Sequence, residues 1–354
     1  MAPYVSVLID TYNHGRFIEQ AVVSVLEQDF PTAEREIIVV DDGSTDNTAV
    51  VLQKFSPRIR VLRKKNGGQA SAFNLGIPEC RGQIVAFLDG DDWWAPGKLH
   101  AVSEALSREA GVGLVGHGIT EVFADGVERQ ELLREEPRFR INSTAGARIF
   151  RRRKSFLGTS RMTYRAELLK RVGVAPEALT IQADEYLFTV ATVLAETLVL
   201  REALTFYRLH GGNAFQVSDG NPEALRRKYK VLSALACALK SKLRELRVTE
   251  DVTQLVCEAV VTEANVIRLT VDGGYPWETV RAELNNYRMT NEKASLTRWI
   301  LKCATLLPAL LLPPRMFYAG RQRLSRNSAY RKIRERCMPF AEPEHVDRYE
   351  TTRP

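Results

Sequence analysis

Short runs of apolar, largely β-branched residues alternate with amphipathic helical patterns through the first hundred residues of this 354-residue chain. The runs predict buried strands at 4–9, 36–40, 59–62 and 83–88, and the segments between them predict helices. Alternation at this spacing is typical of a doubly wound, parallel sheet with helices on both faces. We therefore predict an α/β fold with a mostly parallel central sheet flanked by helices.

The rest of the chain changes character twice. Strand and helix patterns are mixed from 111 to 215, and from Pro222 apolar residues recur three or four apart, which predicts an all-helical extension. The predicted organisation is one α/β domain over 1–218 with halves 1–110 and 111–218, a helical extension over 219–297, and a basic amphipathic C-terminal segment over 298–354.

Cysteine content and charge indicate the compartment and the kind of partner that suit this protein. The five cysteines are widely spaced and include no CxxC pair, which argues against a disulfide framework or a zinc site and is typical of a reducing compartment. No secretory signal and no apolar run of ~20 residues is visible, so we expect a cytoplasmic protein. The net charge of +7 suits anionic partners without choosing among them.

Polar clusters follow three of the predicted strands. They are Thr11–Asn13, Asp41–Ser44 and Asp89–Asp92. Ligands bind off the carboxyl ends of the strands in a parallel α/β sheet, and these ends share one edge. The sequence therefore predicts a binding site built from all three clusters.

The cluster after the fourth strand carries the strongest chemical signal. Asp89, Asp91 and Asp92 place three carboxylates within four residues, and such groups repel one another unless a cation is present. A hard divalent cation, Mg²⁺ or Mn²⁺, bridges carboxylates to a diphosphate and neutralises charge on a departing phosphate group. We predict a metal site here; an acidic turn with an exposed helix cap is the alternative.

Two further segments suggest contacts with a nucleotide. Asp41 and Asp42 end a strand, where a carboxylate accepts hydrogen bonds from a base or a ribose, although Asp-Gly-Ser is also ordinary turn chemistry. The glycines of Asn66–Gly76 permit close backbone approach before a helix N-terminus, where amide groups favour anions. A plain Gly-Gly turn is the alternative for that segment.

Together these segments resemble the family-2 inverting glycosyltransferases, which have the GT-A fold. The resemblance covers residues 3–215 and lies in four motifs in the expected order, Val5–Asn13, Asp41–Ser44, Asn66–Gly76 and Gly82–Trp94. It implies transfer of a sugar from a nucleoside-diphosphate donor, UDP- or dTDP-linked, to a hydroxyl of a saccharide, lipid-linked or protein acceptor. Asp10 departs from the pattern, because relatives usually carry proline or an apolar residue there.

The resemblance also implies roles for single residues. Asp42 is expected to bind the base, and Arg208 or His210 to offset phosphate charge. The implied nucleotide-sugar contacts are Thr11, Tyr12, Asn13, Asp41, Asp42, Asn66, Gly68, Gln69, Asn74, Asp89, Gly90 and Arg208. The implied metal contacts are Asp91, Asp89 and His210.

An acidic pair at 184–185 resembles the family's catalytic carboxylate, which opens a helix. Alignment on Leu187 puts Asp184 at the position of the catalytic base, with Glu185 as the near alternative. Inversion needs one base that takes the acceptor hydroxyl proton as the oxygen attacks from the face opposite the leaving group. Two alternatives stay open: both acids only favour the helix dipole, or the fold binds a nucleotide sugar without catalysis.

The C-terminal segment is basic. Ten Lys or Arg and one acid, Glu335, lie between Arg298 and Arg336, around an apolar stretch. This pattern predicts peripheral contact with the inner face of the cell membrane; a helix that packs on the protein with a solvated basic face is the alternative. The basic residues form no recognised nucleic-acid reader, so no nucleic-acid partner is expected.

The first strand is followed by no glycine-rich fingerprint, which argues against a dinucleotide-dependent oxidoreductase or a nucleotidyltransferase.

Overall fold

The computed structural model describes residues 4–210, 221–290, 295–326 and 344–347, which fall into two compact units. The first unit contains 1–142, 153–210 and 343–354, and the second contains 143–152 and 211–342. The domain limits at 218 and 297 stay predictions. Part of the predicted basic segment, 327–343 and 348–354, lies outside the described residues.

The first unit is built on one mixed sheet. Its strands are β1 Val5–Thr11, β2 Arg35–Asp41, β3 Arg60–Arg63, β4 Ile84–Asp89, β5 Trp93–Trp94, β6 Val112–Phe123, β7 Glu128–Leu132, β8 Arg138–Phe139, β9 Thr163–Arg165, β10 Glu196–Leu209 and β11 Glu344–Asp347. They run in the order β11-β7-β6-β9-β4-β1-β2-β3, and β10 pairs with β5, β6 and β8. Strands β3, β2, β1 and β4 are parallel, and β9 is antiparallel to both β4 and β6. The predicted α/β fold class is confirmed.

Helices cover this sheet and form the second unit. Those of the first unit are α1 Ile18–Leu26, α2 Thr48–Gln53, α3 Gln69–Gly76, α4 Lys98–Arg108, α6 Ala166–Val172 and α7 Ala183–Leu194. The second unit contains α5 Thr144–Arg153, α8 Pro222–Glu245, α9 Glu250–Val271, α10 Trp277–Thr290, α11 Leu296–Leu306, α12 Pro308–Leu311 and α13 Pro314–Arg326. None of the helices within the described residues is both long and apolar enough to cross a membrane.

The register of the parallel strands sets the place of the polar clusters. Thr11 of β1 lies opposite Asp41 of β2, and Asp10 of β1 lies opposite Asp89 of β4. The residues of β4 up to Leu88 are buried, as expected for a parallel strand covered on both faces. Burial of the apolar body of these strands therefore fixes three polar ends at the same edge of the sheet.

The second unit has a small core of its own. Asn221 caps α8, with Oδ1 accepting hydrogen bonds from the backbone N–H groups of Glu223 and Ala224, at 3.0 and 3.2 Å. Elsewhere in the unit, Leu306 of α11 and Tyr318 of α13 are buried against residues of α9 and α10. The C-terminal helices are thus packed in this unit through one side.

Candidate active site

Two carboxylates lie side by side where β1 and β4 end. Asp10 and Asp89 occupy paired positions on these strands, and the backbone N–H of Gly90 donates to the carbonyl of Asp10 at 2.9 Å. A Cβ on Gly90 would stand 2.6 Å from the hydroxyl oxygen of Thr11, so the turn after β4 has no room for a side chain. The glycine of the Asp89–Asp92 cluster is therefore required by close packing against β1.

Burial and mutual repulsion disfavour charge on most of this cluster. Burial, followed by the charge of Asp91, raises the pKa of Asp10 to about 8. Burial and the neighbouring carboxylates also raise the pKa of Asp89 and Asp92 well above the ordinary value. Asp10 Oδ1 is buried and has no hydrogen-bond partner. A site of this kind gains stability when a cation enters it.

Asp91 differs from its neighbours because two imidazoles face it. His210 Nε2 lies 2.9 Å from Asp91 Oδ2, and His14 Nε2 lies 3.9 Å from the same oxygen. Burial acts to raise the pKa of Asp91, but the hydrogen bond from His210 and the charges of both histidines outweigh it and lower the pKa. Burial also lowers the pKa of His14. Asp91 is the member of the cluster that is held ionised.

Arg208 braces this cluster from β10. Its backbone N–H donates to Asp92 Oδ1 at 3.0 Å, and its Nε donates to the carbonyl of Asp91 at 3.0 Å. The guanidinium lies 4.7 Å from the ring centre of Phe17 and 4.5 Å from that of Trp93. In this arrangement Arg208 fixes the backbone and side chains of the acidic turn.

Ser160 supports the same turn from a short 3₁₀ segment, Thr159–Arg161. Its hydroxyl donates to Asp92 Oδ2 at 2.6 Å and accepts from the backbone N–H of Asp89 at 3.0 Å. Its carbonyl accepts from Lys98 Nζ, Trp94 Nε1 and the Thr205 hydroxyl, at 3.1, 3.1 and 2.8 Å. Ser160 is therefore fixed on both sides, between the carboxylates and a buried network.

The turn after β1 is joined to the turn after β2. Thr11 is buried, Tyr12 is exposed, and Asn13 has a left-handed φ of 57°. Asn13 Oδ1 accepts from the backbone N–H groups of Thr45 and Asp46 at 2.8 and 3.3 Å. The structure therefore brings Thr11–Asn13 and Asp41–Ser44 together, as the common sheet edge predicts.

Asp42 is fully engaged by a loop of its own domain. Its carboxylate accepts from Lys64 Nζ at 2.7 Å, from Asn66 Nδ2 at 3.2 Å, and from the backbone N–H of Gly68 at 2.7 Å. The N–H of Gly67 donates to both oxygens. Asp41 is buried, accepts from the N–H of Ser44, and faces Arg63 at 3.5 Å. The carboxylate expected to bind the base thus also closes the 64–68 loop, and its role in base binding stays a prediction.

The segment after this loop connects α7 to the acidic edge, by which we mean Asp10 and the Asp89–Asp92 turn. Gly68 has a φ of 83°, and a Cβ there would lie 2.5 Å from Thr180 Cα. Gln69 Nε2 donates to the Thr159 hydroxyl at 3.0 Å, while its Oε1 accepts from the backbone N–H of Ala183 at 2.9 Å. Asn74 pairs with the backbone of Ala175 in both directions, at 2.8 and 2.9 Å. The side chain of Asn74 is therefore engaged by the backbone of Ala175, and its contact with a nucleotide sugar stays a prediction.

The two candidate bases at the start of α7 have different partners. Asp184 Oδ2 accepts from the backbone N–H and the hydroxyl of Thr159, at 3.2 and 3.3 Å. Burial raises the pKa of Asp184 to about 6. Glu185 instead pairs with Lys154 Nζ. The charge of Asp184 contributes to the raised pKa of Asp10 and of Asp89, which puts it within electrostatic reach of the acidic edge.

The donor set of this edge fits a hard divalent cation. Carboxylate oxygens and imidazole nitrogen are suitable ligands, and the unpartnered Asp10 Oδ1 adds a further buried acceptor. Among the residues that the structure describes, no three Asp, Glu, His or Cys side chains are arranged as a set that could hold an ion. Asp91 and His210 would supply only part of the ligands that such an ion needs, so the rest would have to come from outside the protein.

Four contributors to this edge, His14, Thr159, Ser160 and Asp10, were not predicted as site residues. His14 follows the first strand and carries no motif of its own, while Ser160 and Thr159 lie in the divergent stretch 111–173. The contacts of Ser160 with Asp89 and Asp92 join residues about seventy positions apart in the sequence. Only the tertiary fold brings these side chains to the site. The polar character of Asp10 on a buried strand was the one available signal for that residue.

Comparison with known proteins identifies the class of fold and site described above. Residues 6–173 match the profile described as Glycosyl transferase family 2. The chain is 35% identical to an uncharacterized glycosyltransferase of Nostoc sp. over 219 residues. This matched stretch covers 59% of this chain and 66% of the relative. Residues 6–173 therefore form a glycosyl transferase family 2 domain.

Other curated relatives match over shorter stretches. The chondroitin synthase of Pasteurella multocida is 39% identical over 127 residues, 35% of this chain and 13% of the relative. The poly(ribitol-phosphate) beta-N-acetylglucosaminyltransferase TarS of Staphylococcus aureus is 35% identical over 92 residues, 25% of this chain and 16% of the relative. The match spans less than two thirds of the length of each of these relatives.

Solved structures share the fold. Residues 1–349 of S. aureus TarS in complex with UDP-GlcNAc superpose with a TM-score of 0.57 at 21% identity, over 93% of this chain and 92% of that one. A mannosyltransferase from Pyrobaculum calidifontis in complex with GDP-Man and Mn²⁺ gives 0.51 at 17% identity, over 94% and 83%. At these identities the likeness shows the fold, which is of the GT-A type.

Proposed function

We propose that this protein is a metal-dependent, inverting glycosyltransferase. It would move a sugar from a nucleoside-diphosphate donor, UDP- or dTDP-linked, to a hydroxyl of a saccharide, lipid-linked or protein acceptor in polysaccharide or glycoconjugate assembly. The observation that carries the proposal is the meeting of Asp89, Asp91 and His210 at the sheet edge of a family 2 domain, within electrostatic reach of Asp184. A cytoplasmic location belongs to the same proposal.

The donor end of the reaction falls to the acidic edge. Asp91 and His210 would hold Mn²⁺ or Mg²⁺, with Asp89 turned to the ribose or sugar, and the bound ion supplies Lewis-acid stabilisation of the leaving diphosphate. Arg208 and Ser160 keep the acidic turn in place through the contacts described above. Names of similar proteins support this assignment, since one solved relative carries UDP-GlcNAc and another carries GDP-Man with Mn²⁺.

The acceptor end falls to Asp184. Its carboxylate would take the proton of the acceptor hydroxyl while that oxygen forms a bond to the anomeric carbon. The bond from that carbon to the diphosphate oxygen breaks on the opposite face, and the nucleoside diphosphate leaves with its electron pair. Thr159 holds the carboxylate for this step, and the raised pKa of Asp184 suits a group that accepts and then releases a proton.

The proposal is tested by calorimetric titration of UDP, dTDP and GDP into the protein with and without Mn²⁺. We expect binding of one diphosphate that requires Mn²⁺, and its loss in Asp91→Asn. Asp29→Asn, which removes the charge of an exposed aspartate elsewhere in the same unit, is the matched control and should bind as the wild type does. Binding that is equal with and without the metal, or unchanged in Asp91→Asn, would contradict the metal assignment.

Binding without turnover is the outcome that separates the enzyme from its alternative. A family 2 domain that binds nucleotide sugar and metal but neither transfers nor hydrolyses the sugar would be a nucleotide-sugar-binding protein. Release of the nucleoside diphosphate from the matching donor sugar, slow with water and faster with an acceptor, supports the enzyme.

A further inference from the structure

The C-terminal helices expose an unusual amount of apolar surface. Of the fifteen large apolar side chains that are exposed among the described residues, nine lie between 296 and 324. They are Leu296, Ile300, Leu301, Leu307, Leu310, Leu311, Leu312, Met316 and Leu324. Single exposed apolar residues are ordinary on a protein surface, but a concentrated set marks an interaction surface.

Much of this set forms one row along two consecutive helices. Helix α11 passes into α12 through Leu307, whose φ of −53° and ψ of −43° are helical. Leu296, Ile300, Leu307 and Leu311 are spaced four, seven and four apart, which places them on one side of a helix, with Ala304 between them. We call these five residues the apolar stripe. Leu296 and Leu311 are 74% and 75% exposed.

The opposite side of the same helices is already packed. Leu306 of α11 and Ala309 of α12 are buried in a core with Leu269 of α9, Val280 of α10 and Tyr318 of α13. This packing sets the rotation of α11 and α12 within their unit. The apolar stripe therefore faces away from the core of its unit and is left for another partner.

The charge of this segment indicates which partner it suits. Residues 295–326 contain six Lys or Arg and no Asp or Glu, in a chain whose net charge is +7. Several of these side chains also have partners within the unit: Arg321 contacts Glu283 at 2.6 Å, Arg315 contacts the carbonyl of Asp272 at 2.9 Å, and Lys302 Nζ lies 5.7 Å from the ring centre of Tyr287. A second copy of this surface would bring like charges together, whereas an anionic lipid surface attracts them.

We propose that the apolar stripe docks on an anionic lipid bilayer. The helices lie along the membrane surface with the leucine and isoleucine side chains at the boundary between headgroups and acyl chains. On α11 the two basic side chains, Arg298 and Lys302, are partly buried and lie on the side away from the apolar stripe, so the segment attracts the bilayer through its overall positive charge. This surface belongs to the second unit, whereas the acidic edge belongs to the first.

Vesicle flotation of the full chain tests the proposal without reading nucleotide binding or sugar transfer. The vesicles are phosphatidylcholine alone and phosphatidylcholine mixed with phosphatidylglycerol. Wild-type protein should float with the mixed vesicles, and less with the neutral ones or at high salt. The double variant Ile300→Glu, Leu311→Glu should lose at least about tenfold in partitioning, because two apolar anchors become charged.

The matched control makes the same kind of change elsewhere. Val50→Glu with Val174→Glu alters two apolar residues of the first unit that are 62% and 74% exposed, against 56% and 75% for Ile300 and Leu311. It should float like the wild type. Wild-type protein that stays with the unbound fraction, or a double variant that floats unchanged, overturns the proposal. A dimer in light scattering that the Ile300, Leu311 variant converts to a monomer, with no flotation of the wild type, overturns it in favour of contact between copies.

Because flotation and calorimetry are read separately, failure of one proposal leaves the other standing. A protein that binds a diphosphate with Mn²⁺ but ignores vesicles keeps its proposed activity. A protein that floats but binds no diphosphate keeps its membrane surface.

Discussion

The hydroxyl of Ser160 donates a 2.6 Å hydrogen bond to Oδ2 of Asp92. The same hydroxyl accepts from the backbone N–H of Asp89, so one side chain from outside the acidic turn fixes two of its residues. Groups that orient metal-binding carboxylates in this way affect metal affinity without touching the metal.

Ser160→Ala should therefore weaken the binding of Mn²⁺ at the acidic edge. Loss of the hydroxyl leaves the Asp89 N–H without its acceptor and Asp92 with one donor fewer. We expect the apparent Mn²⁺ affinity to fall by about 10–100-fold, measured by Mn²⁺ titration at fixed diphosphate. Ser160→Thr keeps the hydroxyl and should recover most of the affinity. Equal loss in both variants would indicate a packing effect instead.

Asp184→Asn should abolish transfer while leaving donor binding intact. A missing general base lowers the rate by about 10²–10⁴-fold, whereas the acidic edge that binds the diphosphate keeps its ligands. Glu185→Gln is the control, because Glu185 is paired with Lys154 and should have a modest effect. Initial rates and calorimetry on the two variants check this. The opposite ranking of the rates would make Glu185 the base.

The rate of transfer should rise with pH through about 6. The base must be ionised to accept a proton, and burial raises the pKa of Asp184 to about 6, so the acid limb of the profile lies above the ordinary aspartate value of about 4. Thr159→Val removes a hydrogen bond that favours the charged carboxylate, which should move the limb to higher pH. A limb that stays in place in Thr159→Val would contradict this assignment.

Gly68→Ala should destabilise the first unit. The φ of 83° disfavours any side chain, and the added Cβ would approach the Thr180 backbone at 2.5 Å. We expect a loss of at least about 1–2 kcal/mol in the free energy of unfolding, measured by denaturant titration. Gly97→Ala is the comparison, since Gly97 has a φ of −87° and a Cβ there meets nothing within 4 Å. Similar losses in the two variants would argue against strain at Gly68.

The framework of the site could be predicted from local pattern alone. Apolar alternation in β1, β2 and β4 located the strand ends, and the parallel arrangement brought Thr11, Asp41 and Asp89 to one edge. These features depend on short-range periodicity and on the general geometry of parallel sheets. The position of Asp184 at the start of a helix was predicted from the resemblance of the 184–185 pair to the family's catalytic segment, and α7 begins at Ala183.

The partners of each side chain could not be predicted in this way. A strand-end aspartate such as Asp42 can face a ligand or a neighbouring loop. Here the choice depends on Gly67 and Gly68, which lie 25 and 26 residues further along the chain. Likewise, the sequence predicted a basic amphipathic C-terminal segment but did not specify which of its apolar residues are exposed, as Leu296, Ile300, Leu307 and Leu311 are. Which side of a helix is covered depends on its neighbours, and the sequence of that helix does not specify them.

Gln69 has a consequence for how such domains can be recombined. It follows the loop that Asp42 closes, and its amide contacts both the Thr159 hydroxyl and the N–H that opens the helix of Asp184. Gln69 is therefore one of several contacts, with those of Ser160 and Arg208, that join the half containing the donor cluster to the half containing the base. A chimera that takes 1–110 from one relative and 111–218 from another should keep activity only when the side chains at 69 and 159 can still form the hydrogen bond seen here. The two halves of the domain are thus matched to each other at the residues that join them.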